Sequence, residues 1–145
     1  MTIATIVAGL ESVLDDVSGV DQTSVDVYIP AASTQGTALI IPPLGQSSIY
    51  TFRNLSATTA KVVHRIPCEF WTKVSTGALA ATLAAARDIG RLATIAIMAG
   101  DSANGYELET GEDITVSVTE VPVIIGDMAY IVTTVTVPVW EEVSV

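Results

Sequence analysis

The chain has 145 residues, half of them apolar and only 15% charged, with a formal net charge of −10 at pH 7. That length makes one domain with a sizeable core, and so acidic a balance argues against holding nucleic acid in a groove, which needs Lys and Arg on the phosphates. Cys68 is the single cysteine, so it excludes an intrachain disulfide and marks no compartment.

Residues 2–18 read as a short amphipathic helix, because Ile3, Ile6, Val7, Leu10, Val13, Leu14 and Val17 recur at three- and four-residue intervals. Glu11, Asp15 and Asp16 lie off that stripe, and Gly19 is the expected stop. No basic residue precedes the apolar start, and acids follow too soon for a bilayer span. The expectation is a soluble, non-secreted product in which Asn54-Leu55-Ser56 carries no glycan.

Val25–Ile29 alternates up to Pro30 and predicts a strand. Residues 30–48, rich in Pro, Gly, Ser and Thr around the run Ala38–Ile41, predict a projecting loop or hairpin that touches a partner. Lys61–Lys73 predicts a strand with Val62, His64, Ile66, Cys68 and Phe70 on one face and Val63, Arg65, Pro67, Glu69 and Trp71 on the other. Pro67 donates no ladder bond and suggests an edge or a bulge. Residues 77–99 predict the main helix, capped by Ser75 or Thr76. One stripe holds Leu79, Leu83, Ala86, Gly90, Ala93 and Ile97; another holds Ala80, Ala84, Arg87, Arg91 and Thr94. Gly100–Asp113 reads as a polar acidic loop, and Ile114–Glu120 and Met128–Glu141 as two alternating strands joined by Val121–Asp127. The order gives an α+β fold, an antiparallel β-sheet packed against one long helix and a short N-terminal helix, all within a single domain over 1–145.

Charge is segregated along this plan. All six bases (Arg53, Lys61, Arg65, Lys73, Arg87 and Arg91) fall within residues 53–91, and the flanking segments carry acids alone. Ion pairs must therefore join the middle to the ends, or the charges must meet another molecule. Together with the surplus of apolar residues, this favours an obligate oligomer whose copies cover each other's surfaces.

Catalytic signatures are missing. His64 and Cys68 are four strand positions apart, about 13 Å, too far for a nucleophile pair, and His64 reads as a partly buried residue bonded to backbone. One His and one Cys leave a zinc site two ligands short. The carboxylates Glu107, Glu109, Glu112 and Asp113 crowd one loop without calcium-loop spacing and read as a solvated acidic loop. Gly100–Gly105 lacks the Lys-Ser/Thr of a phosphate loop. Arg87 and Arg91, one turn apart, either grip an acidic face on a neighbour or pair with Asp88 or the loop acids. Trp71 and Trp140 are core lids or interface anchors. No catalytic, metal or cofactor site is assigned. Candidate interface residues are Arg53, Arg65, Arg87, Arg91, Trp71, Trp140, Glu107, Glu109, Glu112 and Asp113.

The whole layout resembles the tail terminator (tail completion) proteins of long-tailed, siphovirus-like bacteriophages. The likeness rests on the N-terminal helix ending at Ser18-Gly19-Val20, and on the strand KVVHRIPCEFWTKV leading into the helix ALAATLAAARDIGRLATIAIMAG. The closing pair ITVSVTEVPVIIGDMAYIVTTVTVPVWEEV completes it. It covers nearly the whole chain in order and spacing, and includes no signature residue. The resemblance implies a virion structural protein, not an enzyme, assembled in the host cytoplasm into a homohexameric ring. Such a ring caps the tail tube protein, ends its polymerisation and meets the head–tail connector protein, with no cofactor and no membrane. DNA passes through its channel without specific binding, and the 100–113 loop is expected to line that channel or meet the next ring. The alternatives are a neck (head–tail connector) protein or a tail tube subunit and, in a different class, a small-ligand binding module or a carboxylate-based hydrolase.

Overall fold

A computed structural model describes residues 2–25, 27–30, 36–42, 49–74 and 77–144. Its elements are α1 (Ile3–Asp15), β1 (Val20–Val25), β2 (Thr37–Ile41), β3 (Ile49–Asn54), β4 (Thr59–Lys73), α2 (Leu79–Ala99), β5 (Thr115–Val118), β6 (Val123–Ile125) and β7 (Met128–Ser144).

β4 and β7 are the axis of the molecule. They pair antiparallel in continuous register from Thr59↔Ser144 to Lys73↔Tyr130, a ladder about 50 Å long at the usual rise per residue. Shorter strands line its two sides. β2 runs beside residues 69–72 of β4, and β3 beside residues 60–65. β6 runs beside residues 128–130 of β7, and β5 beside residues 133–136. β1 completes one rim by pairing with β2. The fold is therefore the expected α+β plan, with a seven-stranded sheet among the described residues that is antiparallel except for the parallel β1–β2 pair.

Both helices cover the same face of this sheet. Even-numbered β4 residues Ile66, Cys68 and Phe70 and their partners on β7 point into it, with Leu39 and Ile41 alongside. Ile6, Leu10 and Leu14 of α1 and Ala86, Ile89, Ala93 and Ile97 of α2 close over them. Each fully buried Phe or Ile here contributes about 2–3 kcal/mol. Thr133 Oγ1 donates to the Ala86 carbonyl at 3.0 Å, pinning α2 to β7. Gly90 matters for the same contact: a Cβ there would lie 2.9 Å from Val116 Cγ1 and 3.0 Å from Thr133 Cγ2. The helix can settle on the sheet only because that position is bare. On the opposite face a smaller cluster joins Ile40, Trp71, Tyr130 and Val132.

Several expectations change. The run Ala38–Ile41 is no part of a projecting loop; with Thr37 it forms β2, every residue buried. A short continuous apolar run has no periodicity to announce a strand covered on both faces. The remainder of the 30–48 expectation, residues 31–35 and 43–48, lies outside the described residues. The first strand is Val20–Val25, not Val25–Ile29, because parallel pairing with β2 selects it, and the Asp21 carboxylate accepts the Thr37 amide at 2.8 Å. β3 had no counterpart in the sequence reading. Pro67 sits in the most central strand instead of an edge. It is tolerated because it falls between Arg65, the last β3 partner, and Glu69, the first β2 partner. The proposed caps Ser75 and Thr76 lie outside the described residues; the N-cap of α2 is Ala78, without a side-chain bond. The segment Val121–Asp127, read as a connection, contains β6 and the turn at Gly126 (φ 60°). The 100–113 loop is also less polar than it reads: Tyr106 is fully buried and donates its hydroxyl to the Ile97 carbonyl at 2.7 Å.

Candidate functional site

Two surfaces and one buried aromatic pair carry the charged and aromatic residues singled out by sequence. The first is the end of the β4–β7 ladder that runs past α2. There the chain 107–109 lies along β7, with Glu109 N donating to the Pro138 carbonyl and Trp140 N to the Glu107 carbonyl. This pairing carries the acidic segment onto the sheet face opposite the helices. Lys61 Nζ lies 2.5 Å from Glu109 Oε2 and 4.8 Å from the centre of the Trp140 ring. The Glu109 approach is close but off the line of a good hydrogen bond, so it is an ion pair. Arg65 grips Glu112 with two nitrogens, its Nε at 2.9 Å from Oε2. On the helix side of the same strands His64 Nε2 meets Glu141 Oε1 at 2.9 Å. The Glu141 carboxylate is thus a partner of His64 that the sequence did not announce.

The electrostatics follow from these contacts. Lys61, in close contact, holds the Glu109 carboxyl below its ordinary range, against the opposing effect of burial. Burial, and then the charge of Glu69, push the Cys68 thiol up to about 12, so it remains protonated and inert at neutral pH. Burial, with the charge of Asp101, likewise raises Tyr106 to about 12.

Of the remaining candidates on this end, Arg53 is exposed on β3 and borders a cleft shared with Glu109 and Glu112. Asp113 is exposed and Glu107 half-buried. Lys61 and Glu141 were missed by the sequence reading. The available signal was the shared face of Lys61 and Arg65, two turns of the pleat apart, opposite an acid-rich segment that had to go somewhere.

The second surface is the exterior of α2. Arg87 and Arg91 are both exposed, with Ile95 and Met98 further along, 53% and 57% exposed. Arg91 pairs with Asp88 at 2.8 Å on its own helix, the local alternative allowed by the sequence. The third is the aromatic pair: Trp71 is buried edge-on to Tyr130, ring centres 5.6 Å apart, with its Nε1 donating to Glu69 at 3.1 Å. Trp71 thus lies inside the subunit, and Trp140 lies under Lys61.

Among the described residues, no three His, Cys, Asp or Glu side chains converge as a metal site requires. A cleft of about 580 Å³ opens between Met98, Leu108 and Ile114 and is lined also by Asp101, Glu109, Glu112 and Asp113. No helix among the described residues is long and apolar enough to cross a membrane. No protein-family model and no curated protein matches this chain.

Proposed function

We propose that this chain is a structural subunit that closes with copies of itself into a ring, the tail terminator of a long-tailed bacteriophage. One observation carries the reading: apolar side chains stand exposed at both rims of the sheet. Tyr28 and Ile29 follow β1 on one rim, 64% and 52% exposed; Val121 and Ile124 flank and form β6 on the other, 77% and 73% exposed. One self-complementary patch makes a dimer. Apolar patches on opposite sides suit a head-to-tail contact repeated around a ring.

The site chemistry agrees with a scaffold. Glu109 is held ionised by Lys61, the reverse of what a general acid for a carboxylate-based hydrolase needs. In the ring, six copies would cap the tail tube protein and meet the connector. Outward acids such as Asp101 and Asp113 would keep DNA from adhering to the bore. A neck protein shares this reading of the rims; a tube subunit would use the same rims but polymerise openly.

Electron microscopy of the purified chain tests the proposal. Annular particles of uniform diameter with a central hole are expected. Open tubes would reassign the chain to the tube itself, and isolated small particles at every concentration would refute self-assembly.

A further inference from the structure

We propose that the outer face of α2 in one copy seats against the acidic exterior of α1 in the next copy. This deepens the ring reading and rests on it. The two helices lie side by side over one sheet face, α1 over β1 and β2, α2 over β7, β4 and β5. They therefore stand on opposite halves of the subunit, where a head-to-tail contact needs its two unlike surfaces.

The two exteriors are complementary in charge and in shape. α2 exposes Ala80, Ala84, Arg87, Arg91, Ile95 and Met98 along one side. α1 exposes Ala4, Ala8, Ser12 and Asp15, followed by Asp16 at its C-cap. Small residues on both helices permit close approach, and Ile95 and Met98 supply the apolar area that a contact made of charges alone would lack. Tyr28 and Ile29 add apolar surface on the α1 side.

The charges of the two helices also go unmatched with each other within one copy. Although α1 and α2 pack together, no ion pair joins their acids to their arginines among the described residues. Arg91 pairs only with Asp88 of its own helix, and Asp15 accepts a hydrogen bond from Thr23 Oγ1 at 2.5 Å. Asp15 and Asp16 moreover stand at the C-terminal end of α1, where the helix dipole disfavours anions and no basic residue offsets them. A cation brought by the next copy relieves that conflict.

A charge-reversal cycle read by sedimentation tests the pairing. R87E/R91E and D15K/D16K are each expected to raise the half-assembly concentration by about tenfold or more, and the combined chain to return within about threefold of the unaltered one. D16K alone, which leaves the Asp15–Thr23 bond in place, is expected to melt no lower than the unaltered chain and still to raise the half-assembly concentration, so that its loss of assembly is not loss of fold. Assembly that survives either reversal, or a combined chain as dispersed as its parents, overturns the pairing while leaving the ring standing. An unaltered chain that never assembles overturns the ring reading and this contact with it.

Discussion

The two ends of the β4–β7 ladder share one backbone register and are held by different forces. Around Ile66–Phe70 and Val135–Val137 the strands lie beneath both helices in a dry apolar cluster. Around Lys61–Arg65 and Pro138–Glu141 the ladder extends past α2, and side chains there are joined by polar contacts: Lys61 to Glu109 and Arg65 to Glu112 as ion pairs, His64 to Glu141 by a hydrogen bond. The first end makes the subunit fold. The second pairs Lys61 and Arg65, two of the six bases, with acids of the C-terminal segment, while Asp15 and Asp16 of the α1 end and Arg87 and Arg91 of α2 stay exposed. Segregated charge is thus resolved within the chain at the ladder end and left exposed on the two helices.

The largest expected effect belongs to the helix-covered end. Phe70→Ala is predicted to cost about 3–5 kcal/mol in chemical denaturation, as a large buried side chain is lost beneath α1 and α2. A loss under about 1 kcal/mol would mean that this end is not the core.

Next is the charged end. Lys61→Met strands the Glu109 carboxylate, whose side chain is only 11% exposed, and is predicted to cost about 1–3 kcal/mol. That loss should shrink in E109Q, where no charge is left to orphan; equal costs in both backgrounds would show that the pair does not matter.

Acid titration sharpens the contrast further. Because Lys61 lowers the Glu109 pKa in the folded chain, the unfolded chain binds the proton more readily. The stability this supplies is complete above the ordinary value of 4.5 and is lost as pH falls below it through the lowered folded value. The slope of stability against pH below 4.5 is expected to flatten in E109Q and to be unchanged in Phe70→Ala.

The smallest effect is predicted for Arg91→Ala. Its pair with Asp88 is more than half exposed on both sides, so the folding cost should stay within about 0.5 kcal/mol. A larger cost would assign the α2 exterior to folding instead of to a neighbour.

How much of this could be read beforehand follows the same division. Both helices, β4 and β7 were legible, because each is long enough for its period of 3.6 or 2 to repeat. β4 showed its two faces correctly: Ile66, Cys68 and Phe70 do share the buried side. β2 was illegible because a strand buried on both faces does not alternate, and its Pro-rich flanks suggested a loop. β1 was misplaced because the choice between Val20–Val25 and Val25–Ile29 depends on a partner, β2, that had not been recognised. At the charged end, sequence showed that bases and acids must meet across the chain but not which ones. The pairing of Lys61 and Arg65 with Glu109 and Glu112 depends on residues 107–109 aligning along β7, a register set by tertiary structure.

The central claim is that the exposed rims and unmatched helix charges exist for other copies of the same chain. Native mass spectrometry at micromolar concentration tests it most directly. The account predicts one dominant closed species at six times the subunit mass. A single subunit mass that persists as concentration rises would contradict it.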